Sequence, residues 1–217
     1  MRPGSVAWAP VSLTCRPVPA RATTRFLVFL LVVMLAAVAV VAGWAAGGPN
    51  PPFIGPTLKY PAPPPDFALR DQHGQVVRLS RLHGKVVLLT FLYTHCPDVC
   101  PLTATHLNTA LAQLGRARNN VRVLAVSVDP KGDKPGSVAS FIRSHRLRPQ
   151  FHYLTGAAAT LRSVWRAYKV QAVPQGEAGV DHTLYTLLID PRGKARVLFD
   201  VQATPSAIAH DVRLLLP

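Results

Sequence analysis

Between residues 66 and 217, short apolar runs alternate with stretches in which apolar residues recur at helical spacing. Two continuous apolar runs, 85–93 and 121–128, are typical of strands that are buried on both faces of a sheet. A shorter run at 151–154 predicts another strand. Helical spacing predicts four helices, at 102–114, 135–145, 157–168 and 205–216. In the first of these, Leu102, Leu107, Leu111 and Leu114 form the predicted apolar face.

Two further pairs of apolar runs each enclose a cluster of turn residues, so each pair predicts a β-hairpin. The pairs are 67–69 with 76–79, across Asp71-Gln72-His73-Gly74, and 184–189 with 195–199, across Asp190-Pro191-Arg192-Gly193. Residues 173–181 contain Gly and Pro and are predicted as a loop. Alternating strands and helices with a hairpin at each end predict an α/β fold, in which helices flank a central mixed sheet.

Residues 26–46 are uncharged and consist mostly of Leu, Val and Ala. A stretch of this length can span a bilayer as one helix. Arginines at 16, 21 and 25 precede it and no acidic residue does, so the positive-inside rule places the N-terminus in the cytoplasm. The predicted organisation is a basic cytoplasmic N-terminus at 1–25, a transmembrane anchor at 26–46, a Pro-rich tether at 47–65 and a folded domain at 66–217.

Two other interpretations of the N-terminal region are open. A cleaved signal peptide usually has a shorter apolar core, and Gly43-Trp44-Ala45 is a poor cleavage site. A mitochondrial presequence fits the arginines and the lack of acidic residues in 1–25, but prolines at 3, 10, 17 and 19 oppose the amphipathic helix it needs. The favoured location is therefore a bacterial inner membrane, with the domain facing the periplasm or cell exterior. The mitochondrial inner membrane is the alternative.

The formal net charge of +14 arises on both sides of the predicted anchor. Four arginines precede residue 51, and the rest of the chain carries the other basic residues together with all the acidic ones. A basic protein can bind nucleic acid, anionic lipid or an acidic protein. Here the basic residues are dispersed, with no dense Lys/Arg run and no basic strand interleaved with aromatic residues, so we expect no binding to nucleic acid.

Two of the three cysteines, Cys96 and Cys100, lie in Thr94-His95-Cys96-Pro97-Asp98-Val99-Cys100-Pro101, between an apolar strand and a helix. If both occupy the first helical turn, they share a face with their Cα atoms about 6 Å apart. That spacing allows a shared metal ion and also allows a disulfide. A helix N-terminus lowers the pKa of a thiol and so supplies the thiolate that either chemistry needs. The residues alone therefore predict metal ligands or a redox pair.

The run from Phe91 to Pro101 resembles the Sco/SenC proteins, thioredoxin-like copper chaperones that help to assemble the binuclear copper centre of cytochrome c oxidase. The family pattern is a CxxxC pair with one distant His. That His is matched by His182 in Val180-Asp181-His182-Thr183-Leu184-Tyr185, and Ser127-Val128-Asp129-Pro130 is a third match. The resemblance covers roughly residues 62–217. Leu92 stands where many relatives carry Gly, which we expect to affect packing and not ligation.

The resemblance implies a thioredoxin-like fold that binds one copper through Cys96, Cys100 and His182. It also implies a partner, the copper-binding subunit of cytochrome c oxidase. Cu(I), with Cu(II) as an alternative, suits two thiolates and one imidazole, whereas structural zinc usually takes a fourth ligand. The expected protein is a metallochaperone and not an enzyme.

The alternative is a thiol–disulfide oxidoreductase that uses Cys96 and Cys100 to reduce cysteines of the same oxidase subunit. Its usual motif is CxxC, which this chain lacks at the site. Two neighbouring acids have open roles: Asp129 is expected near the site or in a turn, and Asp98 as a helix cap or in a partner contact. His95 is not expected to be a ligand. The remaining histidines are predicted to be surface or core residues, at 73, 83, 106, 145, 152 and 210.

Overall fold

The computed structural model describes residues 28–38, 52–174 and 180–216. The chain divides into two compact units, 1–50 and 51–217. In the first unit, residues 28–38 form helix α1, whose apolar side chains are exposed. The predicted span at 26–46 continues on both sides of α1 into residues outside this description, as does the predicted cytoplasmic segment at 1–25. Within the described ranges, no helix has both the length and the apolar character needed to cross a membrane.

A five-stranded mixed sheet forms the centre of the second unit. Its strands are β3 (Val86–Leu92), β4 (Val121–Ser127), β5 (Phe151–Leu154), β8 (Thr186–Ile189) and β9 (Ala195–Phe199), in the spatial order β5-β4-β3-β8-β9. The first three are parallel neighbours, while β8 pairs antiparallel with β3 and β9 antiparallel with β8. All seven residues of β3 are buried, as expected for a continuous apolar strand at the centre of a covered sheet. Leu92 lies in this core.

Two small hairpins complete the strands. In the first, β1 (Ala68–Arg70) pairs antiparallel with β2 (Val76–Arg78), as the sequence predicts. In the second, β6 (Ala172–Pro174) pairs antiparallel with β7 (Val180–His182). The prediction of a loop over 173–181 is therefore wrong at its two ends. Each arm has only three residues, and Pro174 at the end of β6 together with the glycines that follow it masks the strand pattern.

Four helices follow the predicted order, and two 3₁₀ turns lie between elements. The helices are α2 (Val99–Gln113), α3 (Pro135–Ser144), α4 (Ala158–Ala167) and α5 (Pro205–Leu215), and the 3₁₀ turns are Leu79–Arg81 and Gly115–Asn120. Helix α2 begins three residues earlier than predicted, and Leu102 is 44% exposed, not part of the apolar face. The buried stripe instead starts at Cys100 and Ala104 and continues through Leu107 and Leu111. The stripe begins with the small side chains of Cys100 and Ala104, so the spacing of the leucines alone does not reveal where it lies.

The described part of the segment predicted as a free tether, 52–65, lies against the sheet. Leu58 N–H donates to Arg196 O at 2.8 Å, and Leu198 N–H donates to Pro56 O at 3.0 Å. Further along, Tyr168 Oη–H donates to Pro65 O at 2.6 Å. Strand β9 is an edge strand whose backbone groups need partners, and the proline-rich segment supplies some of them. The tether prediction is thus wrong for these residues.

Candidate metal centre

The two cysteines lie on either side of the start of α2. Cys96 belongs to the loop that leaves β3, whereas Cys100 lies in the first helical turn, so the condition that both share that turn is met by Cys100 alone. Asp98 is the N-cap residue, but its side chain accepts no capping hydrogen bond. The Cys100 N–H instead donates to Cys96 Sγ at 3.4 Å. This bond places the sulfur of Cys96 at the helix N-terminus, where negative charge is stabilised.

The two thiols have different environments. Both are free thiols, but Cys96 is partly exposed whereas Cys100 is buried. Burial raises the pKa of Cys96. Hydrogen bonds from the N–H groups of Asp98 and Cys100 oppose this effect and outweigh it, so the net pKa lies below its usual value. Burial raises the pKa of Cys100 strongly, and the nearby charges of Cys96 and Asp133 add to this effect. Cys96 is therefore the more acidic and more accessible thiol.

His182 reaches the buried thiol from the β6–β7 hairpin. Its Nε2 lies 3.6 Å from Cys100 Sγ, although the two residues are 82 positions apart in sequence. Its Nδ1 lies 3.1 Å from Thr183 O. Since a carbonyl oxygen only accepts, Nδ1 carries the proton and Nε2 presents its lone pair to the sulfur. Burial lowers the pKa of His182 and so favours the neutral imidazole that binds metals. The ring also packs edge-on against Tyr93.

The spacing of Cys100 and His182 fits two ligands of one ion. Metal–sulfur and metal–nitrogen bonds of about 2.3 and 2.1 Å, at an angle of about 120°, separate the two ligand atoms by roughly 3.8 Å. Within the described residues, however, no three His, Cys, Asp or Glu side chains already form a cluster suited to a metal ion. The contacts are pairwise, from Cys96 to the Cys100 backbone and from Cys100 to His182. A metal ion would have to draw the three side chains together.

The other candidates flagged in the sequence have different roles. Asp129 Oδ1 accepts the N–H groups of Lys131 and Gly132 at 3.1 and 2.9 Å, so this carboxylate closes the turn after β4. His95 is exposed, and its Nδ1 lies 3.2 Å from Thr94 Oγ1. Neither is in contact with Cys96, Cys100 or His182 through the hydrogen bonds of the structure.

Sequence reasoning missed Asp133, a buried acid next to residues 93–98, which connect β3 to α2 and are called the cysteine loop below. Its carboxylate accepts hydrogen bonds from Thr94 on the loop, Ser127 at the end of β4 and Tyr153 on β5. Burial raises the pKa of Asp133 although these hydrogen bonds oppose the rise. The only sequence signal is its position, four residues after Asp129 in a turn that follows a buried strand.

Two cavities lie away from the cysteines and His182. One of about 240 Å³ is lined by Pro63, Leu82, His83 and Ile189, and another of about 270 Å³ by Ile54, Pro56 and Phe199. Neither contains a cysteine or His182.

The domain is similar to proteins of a known family. The sequence profile of the SCO1/SenC family matches residues 59–216. The SCO1 protein homolog of Bacillus subtilis is 30% identical over 172 residues, which are 77% of this chain and 86% of that protein.

Two solved structures of Sco proteins are also similar to this chain. ScoI of Bradyrhizobium japonicum, with copper bound, superposes with a TM-score of 0.64 at 33% identity, over 71% of this chain and all of that one. BsSco is described as a member of the Sco family of cytochrome c oxidase assembly proteins, in which a disulfide switch was identified. It superposes with a TM-score of 0.60 at 30% identity, over 73% of this chain and 96% of that one.

Proposed function

The chain belongs to the SCO1/SenC family, and from this premise we propose that residues 51–217 form a copper-binding domain that serves cytochrome c oxidase assembly. Cys96, Cys100 and His182 hold one copper ion in this proposal. The observation that carries it is the 3.6 Å contact between His182 Nε2 and Cys100 Sγ. A histidine without a role in the site has no reason to lie half-buried with its Nε2 at this distance from a thiol 82 positions away.

The donor set suits Cu(I) as cargo. Thiolate and imidazole are ligands that copper prefers, and three donors leave room for an incoming ligand. Both thiols must lose their protons on binding, so uptake weakens as the pH falls. Cys96 is partly exposed, which makes it the ligand that an acceptor protein can displace first. Transfer then proceeds by exchange, as thiolates or imidazoles of the acceptor replace the three ligands in turn.

The proposed acceptor is the copper-binding subunit of cytochrome c oxidase. The proposed setting is a membrane surface, with 26–46 as the anchor and a bacterial inner membrane as the first choice. The exposed apolar side chains of α1 support this part of the proposal. The mitochondrial inner membrane is the alternative setting.

The test measures Cu(I) stoichiometry and affinity of the full chain, reduced and solubilised in detergent. We expect about one copper per chain, and we expect Cys96→Ala, Cys100→Ala and His182→Ala each to weaken binding by more than about 100-fold, beyond the effect of losing an outer-shell partner. His106→Ala is the matched control, because His106 is a partly buried histidine whose Nδ1 contacts Ala203 O and not a cysteine. Wild-type affinity in all three ligand variants would overturn the proposal.

A second candidate activity, reduction of a disulfide in the acceptor, is favoured by the difference between the thiols. The Cys96 thiolate attacks one sulfur of the acceptor disulfide and forms a mixed disulfide while the other acceptor sulfur leaves as a thiolate. Cys100 then loses its proton and attacks Cys96 Sγ, which releases the second acceptor thiolate. The acceptor gains two electrons and the Cys96–Cys100 pair loses them. Turnover of a model disulfide that survives His182→Ala would support this activity.

A further inference from the structure

Asp133 is a buried acid whose side chain joins the cysteine loop to strands β4 and β5. One carboxylate oxygen accepts the N–H and the Oγ1–H of Thr94, at 2.8 and 2.7 Å. The other accepts the hydroxyls of Ser127 and Tyr153, at 2.6 and 2.9 Å. The Asp133 residue is 5% exposed, and Tyr153 and Ser127 are fully buried. All four donors are thus held by one side chain.

These hydrogen bonds connect the central sheet to the loop that carries Cys96. Ser127 and Tyr153 belong to the central sheet, on β4 and β5, which do not depend on the cysteine loop for their own pairing. Thr94 lies on that loop, two residues before Cys96. Both loop contacts to Asp133 fall on this residue, one from its backbone and one from its side chain. Asp133 therefore fixes the direction in which the chain leaves β3 toward Cys96.

Four donors account for an acid at this position. Burying a carboxylate costs free energy unless several donors satisfy it, and an apolar side chain in the same space would leave these donors without an acceptor. The carboxylate accepts all four hydrogen bonds in fixed directions, and two of them come from the loop that carries Cys96. Its charge is also close enough to Cys100 to contribute to the raised pKa of that thiol.

We propose that Asp133 is a positioning residue of the metal site, which through Thr94 holds the loop so that Cys96 faces Cys100 and His182. This inference rests on the proposed function, because it assigns a role in assembling the copper ligands. No contact joins Asp133 to the ion in this arrangement. Its effect is on how much of the three-ligand geometry exists before the ion arrives, which matters because the contacts among the three are only pairwise.

The first experiment compares Asp133→Asn with Asp71→Asn in the full chain. Both acids are buried and both accept backbone N–H groups, but Asp71 contacts His73, Gln75 and His152 and no residue of the cysteine loop. We expect Asp133→Asn to lower Cu(I) affinity by about 10- to 100-fold, as for other residues that orient ligands. We also expect it to shift the thiolate-to-copper charge-transfer absorption of the Cu(II) form. Asp71→Asn should leave the affinity and the spectrum unchanged even if it lowers thermal stability.

The second experiment alters the other end of the contact. Thr94→Ala removes the Oγ1–H donor and keeps the backbone N–H, so we expect a smaller loss of Cu(I) affinity, about tenfold. Thr94→Ser retains the hydroxyl and should restore wild-type affinity. A role in stability alone predicts no such rescue of the copper spectrum. These two variants decide the matter if Asp133→Asn does not fold.

Wild-type affinity and absorption in both Asp133→Asn and Thr94→Ala would overturn the inference. If the wild-type chain binds no copper, the proposed function fails. The positioning role of Asp133 can still be tested, because it also predicts how fast Cys96 and Cys100 form a disulfide. In that case the rate of disulfide closure by oxidised glutathione is measured in wild type, Asp133→Asn and Asp71→Asn. Slower closure in Asp133→Asn than in wild type and Asp71→Asn would support positioning, and equal rates in all three would contradict it.

Discussion

At the scale of single residues, the site is defined by an asymmetry between two thiols four positions apart. Cys96 accepts the Cys100 N–H and remains accessible, whereas Cys100 is enclosed by the core below α2. The backbone thus stabilises the thiolate of one residue and the core disfavours that of the other. The accessible sulfur is suited to meet an incoming partner, and the buried one is suited to complete the exchange.

This asymmetry predicts selective alkylation. In the metal-free reduced chain, we expect iodoacetamide near neutral pH to modify Cys96 at least about tenfold faster than Cys100, because the pKa of Cys96 is lowered and that of Cys100 is raised. Mass spectrometry of partially labelled protein gives both rates. The urea-unfolded chain is the control and should lose the difference. Faster labelling of Cys100 in the folded chain would contradict the assignment.

The neighbouring acids illustrate which residue roles can be predicted. Asp129 is conspicuous in the sequence because it follows a strand and precedes Pro130, and its turn role is one of the two predicted for it. Asp98 was expected as a helix cap, but it makes no capping hydrogen bond with its side chain. Asp133 has no local pattern at all, since its partners Thr94 and Tyr153 lie 39 and 20 positions away. A hydrogen-bonding network of this kind depends on strand order.

At the scale of elements, the β1–β2 hairpin shows how one acid closes a turn. Asp71 Oδ1 accepts the N–H groups of His73 and Gln75, both at 2.9 Å, while Oδ2 lies 3.2 Å from His152 Nδ1 on β5. Gly74 has a φ of 76°, which a residue with a side chain rarely adopts. Turn chemistry therefore made this hairpin predictable, and His152 attaches it to the main sheet.

The hairpin predicts a specific loss of stability in acid. Burial raises the pKa of Asp71, but the hydrogen bonds from His152, His73 and Gln75 lower it more, so the net pKa lies below 3.8. A lowered carboxyl pKa stabilises the fold at higher pH, and this contribution disappears as the pH falls below the unfolded-state value. We expect Asp71→Asn to lose less unfolding free energy than wild type between about pH 6 and about pH 3.

Urea unfolding at the two pH values measures this difference. Asp200→Asn is a control, because Asp200 is exposed and accepts only the Gln202 N–H through its side chain. The acid-dependent loss in that variant should match that of wild type. An equal loss in Asp71→Asn and wild type would show that Asp71 is not responsible.

At the scale of the whole molecule, a segment before the first strand joins the two ends of the fold. The N–H groups of Ile54 and Gly55 donate to the buried carboxylate of Asp211 on α5, at 2.8 and 2.9 Å. Gly55 also lies against Phe199 and Val197 so closely that a Cβ atom would overlap both side chains. The segment at 53–58, which we call the N-terminal strap, is thus part of the folded domain.

Two glycine substitutions, one in the strap and one in helix α3, are expected to have opposite effects on stability. Gly55→Ala should lower the free energy of unfolding by about 1–3 kcal/mol, since Phe199 and Val197 are buried in the core and must shift to admit the added methyl group. Gly136→Ala is the matched control: Gly136 lies in α3 with open space at its Cβ position, so alanine should be neutral or stabilising by about 0.5 kcal/mol. Urea unfolding measures both. Equal stability of Gly55→Ala and wild type would mean that the strap does not hold its position in solution.

The sequence by itself determined the local elements and predicted the kind of chemistry that the site carries. Strands β3 and β4, the two predicted hairpins and four helices follow from periodicity and turn residues, because those signals act over a few positions. The CxxxC motif likewise identifies soft-metal or redox chemistry without any knowledge of the fold.

Only the tertiary structure decided which distant groups meet. The β6–β7 hairpin brings His182 to Cys100, Asp133 joins the cysteine loop to the sheet, and Asp211 holds the strap. The physical reason is that each of these contacts joins residues tens of positions apart, and their closeness results from the sheet order and from burial of the whole core. No local pattern of side chains encodes such a contact. Hydrophobic periodicity therefore predicts the helices and strands but not the hydrogen bonds between distant residues.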